Sequence, residues 1–150
     1  MVEIKTLKQR LRELLNSQKL AVLSTHNQGQ PYASLVAFAA SHDLRYIYFA
    51  TTRATRKYRN ITNEPRVAFL IDSRTNQEAD FHEAVAVTVS GRALEMEVGE
   101  GREARKLYLK KHPYLEEFVG SPTCALFAVT VECYYLVERF QKVTELHIDT

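Results

Sequence analysis

Residues 29–69, GQPYASLVAFAASHDLRYIYFATTRATRKYRNITNEPRVAF, hold the order of elements on which the fold turns. Tyr32 to Ala40 and Leu44 to Thr51 are rich in aromatic and β-branched residues with partial alternation, which predicts two strands. Between them Ser41-His42-Asp43 is small and polar, as hairpin loops are, so the two strands should be antiparallel neighbours. Thr55 then stands where an N-cap would, opening a helix through Asn63 that Pro65 forbids to continue. Arg66 to Asp72 returns to strand character.

On the N-terminal side, Ile4, Leu7, Leu11, Leu14 and Leu15 recur at helical spacing among charged residues, predicting an amphipathic helix over 3–16. Ala21 to Thr25 follows as a strand, joined to Tyr32 through a turn containing Asn-Gln-Gly-Gln. On the C-terminal side, Ala84 to Met96 and Cys124 to Val137 read as strands. Between those two, Gly101 to Lys111 is a helix with Ala104, Leu107 and Tyr108 on one side, and Pro113 to Val119 a further helical turn. Ser73 to Glu83 reads as a long polar loop, and such loops in compact proteins are often functional. The crossovers of a dozen or more residues that a parallel sheet needs are missing among the first four strands, and GxGxxG is missing too. The fold class expected is therefore mainly β: an antiparallel β-barrel with flanking helices, with an open sandwich as the alternative. One domain over 1–150 is expected, with barrel strands over 20–96 and the 55–63 helix among them, a helical excursion over 101–119, and a last long strand over 123–138. Both faces of Tyr32 to Ala40 are largely apolar, so one should line the barrel and the other meet a second body, such as another subunit.

Composition narrows the function. Hydrophobic residues make up 45% and charged residues 25%, a globular profile. A net charge of +2 is too mild for a dedicated nucleic-acid binder, so any anion site must be local. No signal peptide and no run of about 18 apolar residues is present, so a cytoplasmic protein without a membrane partner is expected. Cys124 and Cys133 lie on one predicted strand, nine residues apart, so regular alternation would send them to opposite faces, unpaired. The five histidines, at 26, 42, 82, 112 and 147, show no metal-ligand spacing and are expected at the surface, with no metal site. No nucleophile paired with a base stands out, so no catalytic residue is named. Tyr32, His26 and Tyr58 are the side chains considered for contact with a substrate, although packing is the commoner use of tyrosine there.

The chemistry concentrates between Ala50 and Arg59. A strand ending in hydroxyls feeds into a basic helix start, and a helix N-terminus offers unpaired N–H groups with partial positive charge. Thr52 and Thr55 can add hydroxyls, Arg56 and Lys57 full charges. That set suits a phosphate of about −1.5 to −2 charges. The plainer reading is a solvated basic face with Thr55 serving only as a cap.

The same residues resemble the FMN-binding core of the pyridoxamine 5'-phosphate oxidase-like split barrels. There a GxPyxxxv strand is followed by lyfyTnxxSrKxrnlxxNPrVal. Thr51 takes the threonine of that pattern, Thr55 the serine, Arg56-Lys57 the Arg-Lys pair, and Asn63 to Val67 the Asn-Pro-Arg-Val turn. Val87 to Ala93, Ala125 to Phe127 and Tyr135 to Val137 resemble later strands more faintly. The resemblance implies a split β-barrel that holds FMN at a homodimer interface. Arg56, Lys57, Thr55 and Thr52 would take the phosphate; Ser34, Leu35, Val36, Ala50 and Thr51 would lie along the ribityl chain and ring. The chain departs from the oxidases themselves at Ser34 and Ala39, where the family pattern has an arginine and a lysine, at Ala86, in place of a glutamine, and in lacking the RLxP-type tail. Vitamin B6 oxidation is thus not the activity expected.

The function this implies is an FMN-dependent oxidoreductase acting on a small molecule, with NAD(P)H as one possible donor. A non-catalytic flavin binder is the second reading, and 5-deazaflavin or haem, the latter through His147, are the cofactor alternatives. A third reading is a nucleic-acid-binding barrel using Tyr46, Tyr48, Arg53, Arg56, Lys57 and Arg59.

Overall fold

The computed structural model describes residues 2–139 and 142–149, with side chains from Thr6 onward; Ile4 of the predicted apolar stripe lies outside the described side chains. In chain order the elements are α1 (Val2–Ser17), β1 (Leu20–Asn27), β2 (Gln30–Ala40), β3 (Tyr46–Thr52), α2 (Arg56–Asn63), β4 (Arg66–Asp72), α3 (Asp80–Glu83), β5 (Val85–Glu95), α4 (Arg102–Lys111), a 3-10 turn (Pro113–Leu115), α5 (Glu116–Gly120), β6 (Cys124–Glu138) and β7 (Lys142–His147). Every strand pairing is antiparallel. Strand order β3-β2-β1-β4-β5-β6 closes through a β3–β6 pairing into a six-stranded barrel, and β7 adds to the free stretch of β6. Closure rules out the sandwich. Among the described residues no helix is long and apolar enough to cross a membrane.

Local chemistry explains the joints. Gln28 and Gly29 both have positive φ, 52° and 81°, as the two-residue turn between Asn27 and Gln30 requires. Leu44 also has positive φ (65°), so β3 starts at Tyr46 rather than at the expected Leu44. The barrel is filled by alternate residues, among them Leu23, Phe38, Phe49, Phe69, Val89 and Phe127. Phe49 stacks on Phe127 at 5.1 Å and meets Phe69 edge-on at 6.0 Å. Leu7, Leu11, Leu14 and Leu15 of α1 are buried against this core, each contributing about 1.5–3 kcal/mol.

Four expectations need correction. His112 is fully buried, not at the surface: it follows α4, and its Nε2 lies 2.7 Å from the Phe38 carbonyl. The apolar outer face of β2 is covered in part by this chain itself, since Ala39 and Ala50 pack with Tyr108 and Val119 from α4 and α5. The predicted loop over Ser73 to Glu83 contains α3, whose Asp80 carboxylate accepts hydrogen bonds from the backbone of Thr75 and Asn76. Finally, β6 is not regular. Gly91 pairs with Val131 but Ser90 with Cys133, so Glu132 is an extra residue. This bulge shifts the alternation by one. Ala125, Phe127, Val129 and Val131 point into the barrel before it, Tyr134 and Leu136 after it. Cys124 and Cys133 therefore share the outer face instead of opposing faces, and both are free thiols. At Gly91 a Cβ would come within 2.4 Å of the Thr130 carbonyl oxygen, so only glycine fits beside the bulge.

Candidate cofactor site

The β3–α2 junction is built by hydroxyls. Thr51, the penultimate residue of β3, points inward and is buried, with its Oγ1 2.9 Å from Thr55 Oγ1. Thr55 donates to the Thr52 carbonyl at 3.1 Å and accepts from the Tyr58 N–H at 3.3 Å, capping α2. By helix geometry the N–H groups of Arg56 and Lys57 then have no intrahelical acceptor. No acidic residue sits in the first turn. Asn60 anchors the helix to the barrel end by donating to Thr25 Oγ1 at 3.0 Å, and Tyr58 packs edge-on against Phe127. Tyr58 is therefore held by packing and by its 2.6 Å hydrogen bond to Glu95.

The basic residues divide into two sets. Arg53 is tied to Glu95 at 2.7 Å and to the Pro122 carbonyl, and Arg66 is tied to Glu64 at 3.0 Å. Arg56, Lys57 and Arg59 have no carboxylate partner among the described residues. The Arg56 guanidinium lies over the Tyr32 ring, 5.5 Å from its centroid. Beside them a cavity of about 240 Å³ is lined by Gln30, Pro31, Tyr32, Arg56, Arg59 and Asn60. Burial pulls the Lys57 ammonium below the ordinary lysine value, a cost that an adjacent anion offsets.

The other expected site residues are distributed unevenly. Ser34 and Val36 point into the barrel; Val36 joins the core, and the Ser34 hydroxyl is buried without a hydrogen-bond partner among the described residues. Leu35, on the opposite face, is 64% exposed. Ala50 lies under α4, so its side chain is not free to touch a ligand. Thr52 is half-buried on the outer face. The structure thus brings Thr51, Thr52, Thr55, Arg56 and Lys57 together, while Ser34 and Val36 offer a ligand only their backbone. Of the residues considered for nucleic acid, Arg53 is ion-paired and Tyr48 packs with Ala39, Ala50 and Tyr108.

The sequence pointed to an apolar outer face on β2 but not to its extension over β1 and β4. Leu20, Leu35 and Leu70 are 52%, 64% and 40% exposed on the outer surfaces of β1, β2 and β4. They line a cavity of about 350 Å³ with Asp72, Arg74 and Asn76. The same three polar residues continue into a cavity of about 530 Å³ lined by Phe81, Ala84, Ala86 and Val137. Together these form a groove within the size range of small-molecule sites. Its signal in the sequence was the doubly apolar β2 together with the polar 73–83 stretch.

Comparison with known proteins matches residues 7–138 to the family model described as pyridoxamine 5'-phosphate oxidase. Among solved structures, a heme binding protein from Mycobacterium smegmatis is 17% identical over 93% of this chain and 57% of that one, with a TM-score of 0.82. The chain therefore spans little more than half of that protein. The General Stress Protein 26 from Bacillus anthracis is 21% identical over 95% of this chain and 98% of that one, with a TM-score of 0.73. An FAD-binding protein from Mesorhizobium loti is 16% identical over 91% and 90%, with a TM-score of 0.66. At such identities the likeness is one of fold. No curated protein matches the sequence.

Proposed function

This chain belongs to the pyridoxamine 5'-phosphate oxidase family, and on that premise we propose that it is a homodimeric flavoprotein that binds FMN between two copies and uses it in an oxidoreductase reaction on a small organic molecule. The observation that carries this reading is the unneutralised start of α2, where Arg56 and Lys57 lack, among the described residues, the carboxylate partners that Arg53 and Arg66 have. Arg56, Lys57, the free N–H groups and the Thr52 hydroxyl hold the phosphate; Thr51 and Thr55 hold the shape of the junction. Two or three charge-assisted bonds at roughly 1.5–3 kcal/mol each supply much of the about 8 kcal/mol that micromolar binding needs. Leu35 and the backbone of Ser34 and Val36 support the rest of the cofactor.

The donor set fits the phosphate of FMN, and the exposed leucines of β1, β2 and β4 fit a second copy, as an apolar patch of this kind marks an interaction surface. When bound, the flavin carries the hydride or electrons, with NAD(P)H as the donor class, while the protein orients it and excludes water. Ala39, under Tyr108, and Ala86, in the larger cavity, leave two of the oxidase family's polar positions without a polar side chain. The substrate is accordingly assigned outside vitamin B6. Purification without added cofactor followed by an absorbance spectrum and light-scattering mass tests this reading. Flavin bands on a dimer, bleached by NAD(P)H and restored by an acceptor, are expected. Bleaching without turnover of any acceptor identifies a flavin binder instead. A Soret band identifies haem, a single shifted band identifies deazaflavin, and a colourless monomer indifferent to FMN overturns the reading.

A further inference from the structure

Away from α2, one cluster brings three kinds of metal-binding atom together. Cys133 on β6 pairs directly with His147 on β7, and Glu145 is two residues before His147 on the same side of the strand. The Cys133 Sγ lies 3.9 Å from His147 Nε2, and that nitrogen lies 3.0 Å from Glu145 Oε1. All three candidate ligand atoms fall within 4.8 Å of one another. Cys133 is buried, whereas Glu145 and His147 are exposed, so an ion can arrive from the open side.

The bulge at Glu132 creates this meeting. With regular alternation from Val129 and Val131, Cys133 would enter the barrel core. The extra residue turns it onto the outer face beside Ser90, where β7 presents Glu145 and His147 while Leu146 packs inward. Bulges commonly re-aim one side chain in this way. Gly91, which no larger residue can replace without a clash, keeps the bulged segment close to β5.

We propose that Cys133, Glu145 and His147 form a binding site for one divalent transition metal of the zinc class, clasping β7 to β6. Thiolate with imidazole selects such a metal over calcium or magnesium, and three protein ligands leave a fourth position for water. Zinc bond lengths of about 2.3 Å to sulfur and about 2.0–2.1 Å to nitrogen or oxygen imply tetrahedral separations of about 3.6 Å for S···N and about 3.3 Å for N···O. The S···N and N···O distances lie within a few tenths of an ångström of these; the third pair, Cys133 Sγ and the Glu145 carboxylate, lies within 4.8 Å and needs the exposed glutamate side chain to move toward the thiol to reach about 3.6 Å. A metal there adds a cross-strand link to β7, whose strand pairing is with β6.

The test is titration of chelator-treated protein with Co2+ and then Zn2+, followed by visible absorption and thermal melting. Expected are one Co2+ per chain with a sulfur-to-cobalt charge-transfer band, displacement of that band by Zn2+, and a higher Tm with Zn2+. Cys133→Ser should abolish the band, while Cys124→Ser should leave it unchanged. His147→Gln and Glu145→Gln alter exposed side chains and keep the proposal testable if Cys133→Ser fails to fold; each should weaken binding by roughly 10–100-fold or more, at least the effect of losing an outer-shell partner. Absence of a thiolate band in the wild-type protein, or unchanged affinity in both exposed-ligand variants, overturns the site.

Discussion

The basic residues around α2 fall into two opposite situations. At the far end, Arg66 is held by Glu64, and across the junction Arg53 is held by Glu95, which also accepts from Tyr58. At the near end, Arg56 and Lys57 face a helix start with no acid beside them. Paired arginines fix strands and loops in place; unpaired ones at unfilled N–H groups leave an electrostatic demand that an anion satisfies. The contrast separates structural charge from charge available to a ligand, which a count of lysines and arginines does not.

Breaking the contrast at its ligand side should have the largest effect. Arg56→Ala with Lys57→Ala removes about 3 kcal/mol or more from FMN binding, on the order of 100-fold, with circular dichroism and dimer mass nearly unchanged; isothermal titration with FMN reads it. Thr55→Ala tests whether the cap is structural. It should lower stability by about 1 kcal/mol, seen as a shifted urea midpoint at constant slope, and should weaken FMN less than the double variant does.

A third basic residue sharpens the comparison through pH. Lys111 donates to the Leu15 carbonyl at 2.8 Å and lies over the Phe38 ring, and burial lowers its ammonium to about 8. The unfolded chain keeps a lysine near its ordinary value of about 10.4, so between these values the unfolded state binds more protons and stability rises with pH. Below about 8 both states are protonated and this dependence vanishes. Denaturation of Lys111→Met should show a flatter profile across that window than the wild type. Smallest of all, Arg66→Ala should change stability by no more than about 0.5–1 kcal/mol, as exposed pairs do, with FMN affinity unaffected.

The strands between Leu20 and Glu138 were legible because their β-branched and aromatic runs coincide with burial in the barrel, and α2 was legible because Thr55 and Pro65 mark its ends. β7 was not read as a strand. Its alternation of Thr144 and Leu146 against Val143 and Glu145 is short and largely exposed, as suits an appended edge strand. The bulge left no trace beyond a charged Glu132 in an apolar run, so the face of Cys133 came out inverted. His112 has the flanks of a loop residue, yet it closes α4 over Phe38 through a contact distant in sequence. Within the candidate site, motif order pointed to Thr51 to Lys57, which lie together at the β3–α2 junction, but it carried no information about which way Ser34, Val36 or Ala50 point. That depends on strand register and on the helices covering β3.

The most direct test compares FMN with riboflavin, which lacks the phosphate, by fluorescence titration of the wild-type protein and the Arg56→Ala/Lys57→Ala variant. FMN should bind the wild type on the order of 100-fold more tightly than riboflavin, the equivalent of about 3 kcal/mol, and the two should bind the variant alike. Equal affinity of the wild type for both flavins, or a preference for FMN that survives in the variant, would contradict the assignment of the phosphate to the start of α2.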